Sequence, residues 1–225
     1  IAKFSNSGSS IYISFDKPTN TINRGLSSWN CDLLFYFIGI NQTYCSWTNN
    51  TVVQLQFVTT INSSSLLSPN DDILMIEDRL QSNCAPTCDN YPYSKQQSIK
   101  VLLPDNALVP TVVISILRTA SLFDNLTVDA SLSSGHGSRA WSYVHWTVST
   151  TASITSGDDI SRILNSYDVM IFQPITIYHR DLKAGTYTLS LTVENFMKES
   201  NTGVAIVTID AVSYTHLTLP TNREV

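Results

Sequence analysis

The side chains of this chain whose types and spacing could do chemistry are its four cysteines, its four histidines and two acidic pairs. Cys84 and Cys88 stand in the spacing C-x3-C, which reads as half of a zinc site. Structural zinc takes four Cys or His ligands, and no histidine precedes His136, so that reading is short of donors. The better account of Cys31, Cys45, Cys84 and Cys88 is a pair of local disulfides in an oxidising compartment. Connectivity stays open, because Cys31 with Cys84 and Cys45 with Cys88 suits the same residues. Closing the stretch between Cys31 and Cys45 contributes about 3 kcal/mol by restricting the unfolded chain. Asp71-Asp72 and Asp158-Asp159 offer the hard oxygen donors that calcium takes several of. Acidic turns are usually only turns, and no metal or cofactor is expected.

No catalytic constellation assembles from the remaining residues. G-x-S-x-G, H-E-x-x-H and a phosphate-binding glycine loop are all absent. His136 falls in a glycine turn and His145 on the polar phase of a strand, which makes both surface residues rather than bases. His179-Arg180-Asp181 reads as a polar turn. The aromatics between Trp29 and Trp47 read as core rather than as a sugar-stacking platform. A net charge of −5 and a pI near 5.2 argue against nucleic acid, which is bound by neutralising phosphates with Lys and Arg. They argue equally against a polybasic membrane surface.

The Asn-x-Ser/Thr sequons at Asn41, Asn49, Asn62 and Asn125 agree with a secretory compartment. No apolar run approaches the roughly 20 residues that span a bilayer. The chain begins at Ile1 with no signal peptide and reads as a fragment of something longer.

The elements that must carry these residues are strands. With 225 residues, 43% of them hydrophobic and 14% charged, one or two ordinary domains are expected. The central stretch is 126–148. Leu126, Val128 and Ala130 alternate with polar residues, a Ser/Gly turn follows at 133–138, and Val144, Trp146 and Val148 alternate beyond it. It reads as strand, tight turn, strand, with Trp146 filling the space between two sheets. Further strands are expected at 11–15, 33–40, 52–58, 73–76, 99–103, 112–117, 169–178, 187–193 and 204–209. A short helix is expected over 158–164, with Ser156 as its N-cap and Asp158 and Asp159 at the positive end of its dipole. Short strands with frequent turns are the pattern of a sandwich. The fold class is all-β, as two consecutive immunoglobulin- or fibronectin-III-like β-sandwiches over 1–106 and 107–212. Trp47, Trp146 and Tyr187 are the expected core anchors. The final residues, SYTHLTLPTNREV (213–225), break the pattern. They resemble a translated adapter string and are set aside as a tail.

The run LTVDASLSSGHGSR (126–139) followed by Trp146 resembles the signature of the REJ (receptor for egg jelly) region of polycystin-1-like proteins. Residues 182–187 (LKAGTY) and 189–196 (LSLTVENF) resemble that region's closing strands. Cys31, Cys45-Ser46-Trp47 and 66–74 (LLSPNDDIL) resemble its preceding module, with Asn70-Asp71-Asp72 where that module has Gly-Asp. The resemblance spans roughly 4–212. It implies a non-enzymatic extracellular module of a membrane-anchored protein. The implied role is surface recognition, adhesion, or ligand and mechanical sensing, with a protein or glycan partner at a cell surface. The alternatives are a secreted carbohydrate-binding or adhesin module and an accessory domain of a secreted hydrolase.

Overall fold

Clean alternation in the sequence becomes strand, and the exceptions show what else acts on the chain. The computed structural model describes residues 1–21, 27–58, 66–83, 91–137, 139–166 and 173–211. Two compact units emerge: Ile1–Thr111 with Ser134–Tyr143 and Val193–Asn201, and Val112–Ser133 with Val144–Thr192 and Thr202–Val225.

The first unit holds an eight-stranded sheet. Its strands are β1 (Ala2–Phe4), β2 (Ser10–Ser14), β3 (Trp29–Asn30), β4 (Phe35–Tyr36), β5 (Thr43–Asn49), β6 (Val52–Phe57), β7 (Asp72–Met75) and β8 (Gln97–Leu102). The spatial order is β3-β5-β6-β2-β1-β8-β7-β4. All pairings are antiparallel except β1 with β8, where Ala2 faces Val101 in parallel. The sheet curls, so that Ile11, Trp47 and Leu55 from one half share a core with Phe35, Ile73 and Val101 from the other. Burial of such side chains, each contributing about 1.5–3 kcal/mol, holds the unit together.

The strand expected at 33–40 is a correction. Cys31–Leu33 and Ile40–Gln42 are 3-10 turns, and only Phe35–Tyr36 pairs, with β7. Leu34 and Phe35 are both buried, as is Phe37. Two successive inward side chains cannot sit on one pleated strand, whose residues alternate faces. Gly39, at φ 80°, then turns the chain in a conformation that favours glycine.

The second unit has a four-stranded sheet in the order β11-β13-β14-β9 and a pair β10-β12. The strands are β9 (Thr119–Ser121), β10 (Leu126–Val128), β11 (Tyr143–Thr150), β12 (Ile175–Ile177), β13 (Gly185–Glu194) and β14 (Ser200–Asp210), the ends of β13 and β14 belonging to the first unit. The fold is all-β. A tyrosine corner marks it locally. The Tyr187 hydroxyl donates to the Lys183 carbonyl at 2.9 Å and accepts from the Lys183 N–H at 3.1 Å, four residues upstream. Its one proton being used, the Ser156 hydroxyl at 2.9 Å must be the donor to it.

Four expectations are corrected in this unit. β10 and β11 belong to different sheets, and Ser134–Tyr143 is part of the first unit, so the two strands do not form a tight hairpin. No strand forms at 112–117. Thr111, Val113 and Ser115 bond to residues of 129–134, which belong to no sheet, and only Arg118 bonds to β14, so this β-branched stretch makes isolated bridges instead of a ladder. Of 169–178, only Ile175–Ile177 forms a strand, and 167–172 lie outside the described residues. The helix α1 runs Ile154–Asn165, longer than expected, with Ser153 as N-cap accepting from the Ser156 N–H. Asp158 and Asp159 therefore lie past its first turn, and Asp159 pairs with Arg162 instead.

Helix α1 has a specific task. β11 is an edge strand, and an unpaired edge invites wrong pairing. The Asn165 side chain accepts from the Trp146 N–H at 2.8 Å and donates to the Trp146 carbonyl at 2.8 Å. Trp146 itself is 2% exposed.

Candidate functional site

β13 buries every second residue, and the run Tyr187, Leu189, Leu191, Val193 continues onto Asn195, which is 0% exposed. The Asn195 Nδ2 donates to the carbonyls of Leu108 and Gly135, both at 3.0 Å. Its Oδ1 accepts from the N–H groups of Met197 at 3.0 Å and Glu199 at 3.1 Å. Both donors and both acceptor sites are used, as a buried amide requires. Gly135 has φ 101°, and a Cβ there would stand 2.8 Å from the Pro110 Cα, so no other residue fits.

Arg139 lies close by in the same unit, 6% exposed. Its guanidinium carbon is 4.0 Å from the ring centroid of Phe196, 5.0 Å from Phe57 and 5.6 Å from Phe4. Nε and Nη2 have no hydrogen-bond partner among the described residues. Three aromatic faces hold the cation in place of a hydrogen-bonded carboxylate. Burial lowers its pKa to about 10, with the Asp71 carboxylate opposing the shift. It stays charged at neutral pH and acts as scaffold.

Two adjoining clefts open on the first unit. One, of about 230 Å³, is floored by Ile13, Phe15, Phe35, Ile73, Met75 and Ile99. The other, of about 210 Å³, shares Phe15, Asp16, Met75 and Gln97 and adds Lys17, Gln81, Ser94 and Lys95. The Ser94 hydroxyl is buried and has no partner among the described residues. An apolar floor grading into amides, hydroxyls and ammonium groups suits binding. Among the described residues the lining holds no histidine or cysteine.

The residues singled out in the sequence are dispersed. Cys31 and Cys45 are disulfide-bonded and buried, with Cα atoms 5.1 Å apart. Cys84, Cys88, Asn62 and 213–225 lie outside the described residues. Asn41, Asn49 and Asn125 are exposed. The Asn49 Oδ1 accepts from both the N–H and the hydroxyl of Thr51, the third residue of its own sequon. The Asn125 Oδ1 accepts from the His179 N–H at 3.0 Å. Trp47 and Tyr187 are buried.

His136 is half-buried with its ring edge-on to Trp141, and His145 is exposed. Asp71 accepts from the Ser68 N–H, and Asp72 pairs with Lys100 at 3.2 Å. No group of three or more His, Cys, Asp or Glu side chains able to hold a metal occurs among the described residues. Asp129, in the central stretch, closes a turn by accepting from the Ser131 N–H at 2.8 Å, which lowers its pKa.

Sequence reasoning missed Asn195 and Arg139. Asn195 had a signal, since a polar residue on a strictly buried phase is an anomaly. Arg139 had none, because Phe4, Phe57 and Phe196 are remote in sequence.

No protein-family model matches the chain, and no curated protein matches it. Solved structures similar to it include a protein of Corynebacterium diphtheriae described as membrane-anchored, at 12% identity and TM-score 0.31, covering 93% of this chain and 50% of that one. The N-terminal eight Ig domains of Down syndrome cell adhesion molecule align at 11% identity and TM-score 0.32, over 93% of this chain and 23% of that one. Cadherin domains 3–6 of protocadherin gamma B2 align at 13% identity and TM-score 0.27, over 89% and 49%. The chain thus spans half or less of the length of these structures.

Proposed function

We propose that this chain is a non-enzymatic recognition module on the extracellular side of a membrane, part of the ectodomain of a polycystin-1/REJ-like protein. On this reading 1–106 is a REJ-type sandwich and 107–212 a PKD-like one, and the partner is a protein or glycan at a cell surface. The observation that carries the reading is the buried Cys31–Cys45 disulfide beside exposed sequon asparagines at Asn41 and Asn49. Such bridges persist in oxidising compartments. The paired clefts of the first unit, whose described lining residues grade from apolar to polar, serve as its binding surface. The order of the motifs from Cys31 to Phe196 supports the narrower family reading.

The test is secretion of the chain from a eukaryotic host, followed by peptide mapping and saturable binding of the tetramerised chain to cells of the source organism. A Cys31–Cys45 bridge, glycan on Asn41, Asn49 and Asn125, and saturable binding are expected. Free thiols at Cys31 and Cys45 in folded, secreted material would overturn the compartment. Absence of cell binding would overturn the recognition role.

A further inference from the structure

On the second unit, the stretch 112–118 runs beside β14 and touches it at two places. Near one, a Cβ on Gly203 would meet Val112 at 2.6 Å. At the other, the Thr208 N–H donates to the Arg118 carbonyl at 2.9 Å, and Thr208 faces Thr119 in the β9–β14 register. From Val112 to Thr119 is 119 − 112 = 7 steps, whereas from Gly203 to Thr208 is 208 − 203 = 5. The stretch carries two residues more than the strand beside it, so it bows away.

The bow opens a groove of about 520 Å³ lined by Ile114, Ile116, Arg118, Val204, Ala205 and Ile206. Val204 is 61% exposed and Ile206 57%. Both walls present backbone. Val113 and Ser115 bond away from the groove, toward Ser133 and Asp129, which turns the peptide groups of Ile114 and Ile116 into it. The β14 groups in phase with Thr208, those of Val204 and Ile206, face it from the other wall. Among the described residues no backbone hydrogen bond joins Ile114 or Ile116 to Val204 or Ile206.

We infer that this groove is a β-augmentation site for an extended segment of a partner protein, one alternating apolar β-branched residues and carrying an acidic residue at the end beside Arg118. Unpaired strand edges call for an occupant with its own backbone donors and acceptors, which a glycan or a lipid chain lacks. The aliphatic walls select alternate apolar side chains. Among the described lining residues Arg118 is the only charged one, and it selects a carboxylate. A second copy of this chain is a poor occupant, because its own β14 edge is recessed behind 112–118 and two recesses do not fill each other. The inference deepens the recognition reading and rests on it.

The test uses the full chain and the synthetic peptide Ac-Thr-Val-Thr-Val-Thr-Val-Glu-NH2, with amide hydrogen exchange as readout. Saturable protection of the Val204 and Ile206 amides is expected. Ile206→Lys, a change to an exposed side chain, should weaken binding by about tenfold or more, as lysine blocks natural sheet edges. Arg118→Glu should weaken the same peptide and favour one ending in lysine. No binding, protection elsewhere, or indifference to both substitutions overturns the site. Protection of Val204 and Ile206 that grows with protein concentration alone assigns the edge to a second copy and overturns the partner segment. Cell binding that survives Ile206→Lys would remove this site while leaving the recognition role standing.

Discussion

The side-chain amide of Asn165 makes to the backbone of Trp146 the two hydrogen bonds that a neighbouring strand would make, each at 2.8 Å. One residue of α1 thereby closes the edge of β11 beside the residue that fills the core. Asn165→Ala should cost about 1–3 kcal/mol, the price of leaving part-buried groups without a partner. Asn165→Asp keeps the acceptor and sets a carboxylate against the Trp146 carbonyl, while its protonated form can donate. Chemical denaturation should therefore show Asn165→Asp to be closer to the parent at pH 4 than at pH 7.

Trp146→Ala should cost about 3–5 kcal/mol, through lost burial and the cavity left behind. Trp141, half-buried with its ring edge-on to His136 at 5.6 Å, should cost less on truncation. Denaturant melts of the two variants measure the difference, and Trp146 fluorescence should be the more blue-shifted. A larger loss from Trp141→Ala would place the centre of this core elsewhere.

Asn195→Leu strands two carbonyls and two N–H groups in place of one satisfied amide. Even at about 1 kcal/mol per group the loss exceeds 3 kcal/mol, a large share of ordinary domain stability. Thermal unfolding should show it, with the exchange of the Met197 and Glu199 amides accelerated.

Arg139 predicts a rise of stability in alkali. Its folded pKa, about 10, lies below the ordinary arginine value, so from about pH 10 upward the unfolded chain binds the proton more tightly than the folded one. Stability contributed by this group then increases as pH rises through about 10. Comparing the chain with Arg139→Met at pH 8 and pH 11, the parent should gain relative to the variant. A parent that loses ground instead would mean that the three phenylalanines stabilise the cation by more than burial penalises it.

Reduction of the Cys31–Cys45 bridge, or Cys31→Ser with Cys45→Ser, should lower stability by about 3 kcal/mol. Urea titration with and without reductant measures it.

What the sequence made legible is what alternation encodes. Tyr187 to Val193 reads as one strand because each inward residue is apolar and each outward one polar, and Trp146 stands out as the large aromatic on such a phase. Where two forces share a segment, periodicity misleads. Leu34 and Phe35 are both buried because a disulfide-pinned turn, not a pleat, orients them. Residues 112–117 look like strand yet bond to 129–133, through Val113 and Ser115, and the chain bonds to β14 only at Arg118. The start of α1 is set by which of Ser153 and Ser156 donates and which accepts, and composition holds no record of that. The box around Arg139 depends on three rings brought together by folding alone.

The first unit takes its parts from three separate stretches of chain. A gene rearrangement or splice junction near position 106 would part Phe4 and Phe57 from Arg139 and Phe196, leaving each fragment with half of a cation box. Exchange of this module between genes therefore conserves function only when its ends fall outside the whole span from Ala2 to Asp210. Inheritance should treat the span as one indivisible cassette, although it folds into two compact units.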